Sequence, residues 1–219
     1  MTNLTKIKYY SPIEERINII SHAFGFFLSI YALLLLVVHA YMYGGAVDII
    51  SFTVFGISLL IVYAASTLYH SSKKPELRLK MKVLDHAAIY VLIAGTYTPF
   101  TLITLHGTSI GWILFALSWT LALFGIILKL FFTGKLTVLS TMMYLLMGWI
   151  IVFAIKPLID NLPIDGLFWF IAGGVAYTIG AILYSIKKIK FNHAIFHILV
   201  LVGSFSHFIT VFVYVLPRK

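Results

Sequence analysis

The sequence contains no cysteine, which excludes disulfide bridges and thiolate metal sites and leaves the redox compartment undetermined. Charged residues are also scarce, at 11% of the 219 residues. A soluble globular domain carries about 25%. Hydrophobic residues make up 61% of the chain, and its mean hydropathy is +1.02. Most of this chain must therefore face lipid.

Long uncharged runs divide the chain into membrane-crossing segments. Each reaches the roughly 20 residues that cross a bilayer as a helix, and the run 86–128 is long enough for two crossings separated by the turn "LHGTSIGW". The first run is no signal peptide, because it is too long and lacks a small-residue cleavage site. We predict an all-α, polytopic membrane protein in which residues 1–16 form a short N-terminal segment and 17–216 a seven-helix transmembrane domain. The predicted helices are 17–42, 46–70, 84–105, 109–131, 136–156, 166–187 and 192–215.

The net charge of +9 predicts an orientation rather than a nucleic-acid partner. Thirteen of the sixteen basic residues fall on one side of the predicted helices, so the positive-inside rule places the N-terminus in the cytoplasm and the C-terminus outside. The same surplus suits anionic lipid head groups. "SSKKPELRLKMK" is predicted as a basic surface loop and "IKPLIDNLPIDG" as a short outer loop. No internal repeat is evident, which counts against an inverted-repeat transporter.

The polar residues inside the apolar runs converge at one membrane depth. Ser66 and His70 end predicted helix 2, Asp85 opens helix 3, and His193 and His197 lie in the first two turns of helix 7. Residues four apart share a helix face, so the last two imidazoles can meet one ion, with His70 as a third ligand. Three protein ligands and an open position are typical of catalytic zinc, and three imidazoles without a thiolate favour that metal. Asp85 would then orient or deprotonate the reacting water, and Ser66 would hydrogen-bond the water or a substrate carbonyl.

Each of these residues also has a purely structural interpretation. A lone H-x-x-x-H pair often only hydrogen-bonds a neighbouring helix, and His70 also fits the end of its helix at the interface. Asp85 suits the start of a helix because the macrodipole favours an acid there. Ser66 is of a type that commonly packs helices in membranes.

Four further histidines are placed by the same topology. His22 lies near the cluster, and we favour packing or support over metal ligation. His207 lies about 21 Å along the helix from His193, which is too far to bind the same ion, but it could line a cavity leading there. His39 and His106 are predicted to lie solvated at the outer surface.

Five stretches carry a resemblance to a known family: "EERINIISHAFG", "STLYHS", "LDHAAIYVLIAGTYTPF", "MGWIIVFAIKPL" and "FNHAIFHILVLVGS". Together they resemble the bacterial hemolysin III proteins, which belong to the progestin and adipoQ receptor family with the adiponectin receptors. The resemblance implies a seven-helix fold with a cytoplasmic N-terminus. It also implies that His70, His193 and His197 are zinc ligands, that Asp85 contacts the zinc-bound water, and that Ser66 is the nearby motif serine.

The resemblance further implies a reaction. The alkaline ceramidases of the wider superfamily share this pattern, which suggests hydrolysis of a lipid amide by zinc-activated water. We therefore expect a multi-pass protein of the cell membrane that contacts lipids, binds no nucleic acid and acts as a zinc-dependent hydrolase on a lipid amide or ester. The alternatives are a non-enzymatic sensor or regulator of the membrane with structural zinc, and a cytolytic protein. The substrate and the oligomeric state stay open.

Overall fold

The computed structural model describes residues 9–132 and 137–216, and this part of the chain is entirely helical, without strands. Seven helices are long and apolar enough to cross a membrane, which confirms the predicted number and fold class. They are α1 (Pro12–Tyr43), α2 (Ala46–Ser71), α3 (Pro75–Thr104), α4 (Ser109–Phe132), α5 (Val138–Asn161), α6 (Ile164–Ser185) and α7 (Asn192–Val215). The predicted orientation is not tested by the fold, and five of its basic residues lie outside the described residues: Lys6, Lys8, Lys135, Arg218 and Lys219.

Helix α1 begins at Pro12, five residues before its predicted start. Ser11 caps it, since the Ser11 hydroxyl accepts a hydrogen bond of 3.3 Å from the Glu14 backbone N–H. Proline at the first helical position has no N–H to leave unpaired, so it suits this place. The early start puts the acidic pair of "PIEER" on the first turn of the membrane helix.

Two predicted loops are helical instead. Helix α3 begins at Pro75 rather than at residue 84, so most of "SSKKPELRLKMK" belongs to it. Proline suits its first position, and the glutamate, leucines and lysines that follow are good helix formers. Helix α5 passes through a 3₁₀ turn (Ile150–Ala154) and continues as α-helix over Ile155–Asn161, beyond its predicted end at 156. Pro157 is tolerated because it lies in the first turn of that last piece.

Helices α2 and α3 form the centre of the bundle, where more than half of their most apolar windows is buried. The core joins side chains of α1, α2, α3 and α7, among them Leu36, Phe55, Leu92 and Val200. Large apolar side chains of the outer helices, such as Phe131 and Phe153, are exposed, as expected of a surface that faces lipid chains. Helix α3 changes to π-helical hydrogen bonding over Phe100–Thr104, directly after its proline.

The bundle has two distinct ends. We call the end at which α1, α3 and α7 begin and α2 ends the histidine end. At the opposite end, His106 is exposed as predicted, whereas the prediction of a solvated His39 is wrong. His39 is buried, and its Nε2 lies 2.7 Å from the carbonyl oxygen of Leu216, to which it donates a hydrogen bond. This contact ties the far part of α1 to the chain just beyond α7.

Candidate metal centre

Three histidines meet at the histidine end, as their matched depth predicts. His70 is the last residue but one of α2, and His193 and His197 occupy the first two turns of α7. The Nε2 atom of His193 lies 3.0 Å from that of His70 and 3.1 Å from that of His197. All three side chains are buried, and their ligand atoms lie within 4.8 Å of one another. The three residues could therefore hold one metal ion.

The chemistry of this donor set fits a cation better than it fits hydrogen bonds alone. A neutral imidazole carries one N–H and one lone pair, and a single nitrogen cannot donate to two neighbours at once. The Nε2 of His193 faces two other Nε2 atoms, and its single proton or single lone pair can make a good hydrogen bond with only one of them. One cation at the meeting point would satisfy all three lone pairs. Three nitrogen donors without sulfur also match the ligands that zinc takes at catalytic sites.

Glu15 sets the tautomer of His70. Its Oε2 lies 2.6 Å from Nδ1 of His70, so the ring donates its Nδ1–H to the carboxylate and directs the Nε2 lone pair towards the other histidines. Metal-ligating histidines usually donate their second ring N–H to such an oxygen, which fixes the ring and raises its basicity. Glu15 thus acts on the candidate ligand from the first turns of α1.

Arg78 holds Glu15 from the other side. Its guanidinium pairs with the second carboxylate oxygen of Glu15, and the arginine side chain is buried. The guanidinium lies 4.6 Å from the ring centroids of both Tyr9 and Tyr69. It also donates to backbone carbonyls at the end of α2, among them that of His70 at 3.4 Å. The first turn of α3 is therefore locked against α1 and α2.

Tyr10 covers the centre from outside the bundle. Its ring stacks on that of His193 with a centroid distance of 4.6 Å and an interplanar angle of 10°. Burial raises the pKa of the Tyr10 hydroxyl well above its usual range, so this side chain is neutral at physiological pH. The neutral ring of Tyr10 therefore covers one face of the His193 imidazole.

Asp85 and Ser66 lie near the histidines in different ways. Asp85 is buried and lines the same cavity as His193 and His197, and its Oδ2 lies 3.3 Å from Nδ1 of His86. Ser66 is buried one turn before His70 on α2, and its hydroxyl has no hydrogen-bond partner among the described residues. Neither belongs to the group whose ligand atoms converge, and their predicted catalytic roles stay predictions.

His22 packs against the cluster rather than joining it. Its ring stacks on His197 with centroids 3.6 Å apart and an interplanar angle of 13°, and it meets Tyr63 edge to face. A ring stacked face to face on a candidate ligand directs its lone pairs alongside those of that ligand, not at the same point. This arrangement agrees with the packing or supporting role predicted for His22.

A cavity of about 220 Å³ extends from the histidines into the bundle. All seven helices contribute to its wall, which is mostly apolar. Asp85, His193 and His197 line it at the histidine end, and His207 lines it farther along α7, as predicted. A long apolar chain could therefore reach the histidines without leaving the protein.

Sequence patterns do not predict three residues that support the cluster, two near the start of the chain and one in the first turn of α3. Glu15 lies in the N-terminal segment before the first predicted helix, Arg78 lies in a predicted surface loop, and Tyr10 belongs to no recognisable motif. The contacts of Glu15 span 55 residues to His70 and 63 to Arg78. The sequence does hold one indication of these contacts. An acidic pair lies directly at a membrane boundary, and an arginine lies in another segment at the same boundary.

Comparison with known proteins places the chain among relatives of one family. The family model of Haemolysin-III related proteins covers residues 10–208. Hemolysin-3 of Bacillus cereus is 50% identical over 204 residues, 93% of each chain, and the hemolysin-3 homolog of Bacillus subtilis (strain 168) is 48% identical over 201 residues, 92% of this chain and 94% of the relative. The monocyte to macrophage differentiation factor of Homo sapiens is 27% identical over 170 residues, 74% of this chain and 68% of the relative.

These matches confirm the predicted resemblance, including the weaker relationship to adiponectin receptor-like proteins. The seven apolar helices agree with them and make this a multi-pass membrane protein, of the plasma membrane in bacteria. The chain belongs to the Haemolysin-III related family.

Proposed function

We propose that this protein is a membrane-embedded, zinc-dependent hydrolase that acts on a lipid amide or ester. One observation carries the proposal: three imidazole nitrogens converge at the end of a largely apolar cavity, which is lined there by His193, His197 and the carboxylate of Asp85. The cavity lies between apolar helices, so a substrate chain can enter it from the lipid. An acyl chain in the cavity would bring its carbonyl to the histidines.

His70, His193 and His197 would hold the metal. Bound zinc supplies Lewis-acid polarisation of a carbonyl and lowers the pKa of water to near neutrality. The chain's own groups do the rest. Asp85 accepts the proton of the attacking water and returns it to the leaving amine or alcohol, as a general base and then a general acid do.

The surrounding side chains prepare the site for this reaction. Ser66, one turn before His70, has a free hydroxyl that can position the water or the substrate carbonyl. Glu15 holds the His70 ring in the tautomer that leaves Nε2 free for a metal. The stacked ring of Tyr10 covers one face of the His193 imidazole, and the exclusion of water from that face strengthens electrostatic interactions inside the site.

Metal content is the first test. Mass spectrometry of the detergent-purified protein should find about one zinc per chain in the wild type. A His193→Ala/His197→Ala variant should lose that zinc while it stays folded. His106→Ala, which changes an exposed histidine at the opposite end, is the matched control and should keep the zinc. A wild type that takes up no metal after zinc is supplied at neutral pH would rule out the proposal.

The reaction needs its own test. The zinc-loaded protein should release fatty acid from a long-chain N-acyl amide or the corresponding ester. Asp85→Asn should lower that rate by about 10²- to 10⁴-fold, the usual contribution of a general acid or base, and leave the zinc content unchanged. Absence of hydrolysis by zinc-loaded wild type would leave the sensor or regulator with structural zinc as the better account.

A cytolytic function is the second candidate, because one relative is named hemolysin-3. Of the described residues that line the cavity, Asp85, His193 and His197 lie at the histidine end and His207 lies farther along α7, whereas the wall between is mostly apolar, as a channel lining would not be. Lysis of lipid vesicles by the purified protein is the relevant measurement. Lysis that persists in the His193→Ala/His197→Ala variant would favour a membrane-disrupting activity independent of metal.

A further inference from the structure

His207 is a buried polar side chain that the proposed reaction does not use. It lines the cavity on α7, and neither of its ring nitrogens has a hydrogen-bond partner among the described residues. Its Nδ1 is closed off by its neighbours, which leaves Nε2 as the nitrogen that a partner can reach. Buried polar atoms in proteins are nearly always hydrogen-bonded, so an unpaired one calls for an explanation. A polar group of a ligand in the cavity would supply that partner to Nε2.

The ring of His207 is held in a defined place. It stacks on Tyr177 with a centroid distance of 5.5 Å and meets Phe170 edge to face at 5.4 Å. Gly173 of α6 lies directly against it, since a Cβ at that position would be 2.7 Å from its Nε2. The packing of α6 on α7 therefore makes room for this ring and keeps it rigid.

The neighbouring polar groups are already paired with one another. The hydroxyl of Tyr63 donates to the Ser204 hydroxyl at 2.7 Å, and the Tyr177 hydroxyl lies 2.9 Å from the same oxygen. These contacts use the polar groups closest to the Tyr177 ring. His207 makes no hydrogen bond with any of these three hydroxyls.

The position of His207 on α7 sets a distance. Ten residues separate it from His197, which is about 15 Å of helix. An extended chain of tetrahedral carbons advances about 1.2 Å per bond, as the three backbone bonds of an extended residue do in about 3.6 Å. About twelve bonds therefore span the distance from the histidine cluster to His207.

We propose that His207 forms a subsite for a hydroxyl group carried in the middle of a long acyl chain, about twelve bonds from the carbonyl. This deepens the proposed function and rests on it for the direction of the chain, with the carbonyl at the histidine end. The substrate class is then a lipid amide or ester of a mid-chain hydroxy fatty acid. An imidazole can donate to or accept from such a hydroxyl.

The test is a competition between two isomeric fatty acids, which are the products of the proposed reaction. Detergent-purified, zinc-loaded protein is mixed with equal amounts of 12-hydroxyoctadecanoic acid, its hydroxyl about twelve bonds along the chain, and of deuterated 6-hydroxyoctadecanoic acid, whose hydroxyl is too far from the carboxylate to chelate the metal with it. Native mass spectrometry then reports the ratio of the two adducts. The two acids differ only in the deuterium label, which separates their masses, and in the position of the hydroxyl. The hydroxyl position therefore decides that ratio.

The wild type should prefer the mid-chain isomer by about five- to tenfold, the value of one net hydrogen bond. His207→Phe, which keeps a ring without nitrogen, should bring the ratio to about one, and so should the smaller His207→Leu. His106→Ala should keep the wild-type preference. Equal binding of the two isomers by the wild type would overturn the subsite, as would a preference that survives in both His207 variants.

This experiment separates the subsite from the hydrolase, because it measures binding without turnover. If the wild type prefers the mid-chain isomer but hydrolyses neither the amide nor the ester, the subsite is supported and the proposed hydrolase activity is refuted. If the wild type hydrolyses the amide or ester but shows no mid-chain preference, the hydrolase activity is supported and the subsite is refuted.

Discussion

Glu15 is expected to control the metal affinity of the centre from the first turns of α1. Its carboxylate is 15% exposed, and one oxygen lies 2.6 Å from Nδ1 of His70 while the other pairs with Arg78. Hydrogen bonds to charged groups contribute about 1.5–3 kcal/mol. Removing the residue that orients a metal-bound histidine lowers metal affinity by about 10- to 100-fold, which is about 1.4–2.7 kcal/mol. The two ranges agree.

The assay is zinc competition against a chromophoric chelator in detergent. Glu15→Gln keeps an acceptor for His70 but loses the charge, so we expect its zinc Kd to rise about tenfold. Glu15→Ala loses both, and we expect a rise of up to about 100-fold. The matched control is Glu14→Gln, the same change one residue earlier, at a side chain that pairs with neither His70 nor Arg78 among the described residues.

Equal zinc affinities in Glu15→Ala and Glu14→Gln would refute this reasoning. The carboxylate would then serve only to neutralise Arg78, and the 2.6 Å contact would have no effect on the metal. A rise that appears in all the variants alike would point to a general loss of structure at the start of α1, which thermal unfolding of the metal-free proteins would reveal.

Two further predictions concern stability. Arg78→Met should destabilise the protein by about 3–5 kcal/mol, because it leaves a partly buried carboxylate without its counter-charge; Lys80→Met, at an exposed position of the same helix, should change thermal unfolding little. Gly173→Ala should destabilise by about 1–3 kcal/mol, because the new Cβ would lie 2.7 Å from Nε2 of His207. Gly174→Ala meets nothing within 4 Å and should stay within about 0.5 kcal/mol of wild type. Similar unfolding temperatures within either pair would contradict the contact in question.

The seven helices and the meeting of three histidines could be predicted because both depend on depth alone. Apolar runs set where the chain crosses the membrane, and the ends of those runs set the level of His70, Asp85 and His193. The grouping of the histidines is confirmed, whereas metal binding stays a prediction. What depth does not determine is the rotation of each helix about its axis.

That rotation explains the errors. His39 lies at the outer level as predicted, but its face of α1 is turned inward, towards the backbone at Leu216. The early start of α3 places Arg78 on a helix, and its partner Glu15 lies on a different helix 63 residues away. From composition alone, a stretch rich in lysine and arginine is predicted to lie in solvent. Only the folded chain shows that one of these cations is buried against Glu15.

The two halves of the candidate centre are separated along the chain by 123 residues, from His70 on α2 to His193 on α7. During synthesis α2 enters the membrane long before α7, and it brings a single imidazole. The other two arrive together, on the helix that follows the six others. A metal ion that needs all three imidazoles can therefore bind only after α7 is inserted and packed against α2. Metal uptake would then indicate that the bundle is fully assembled.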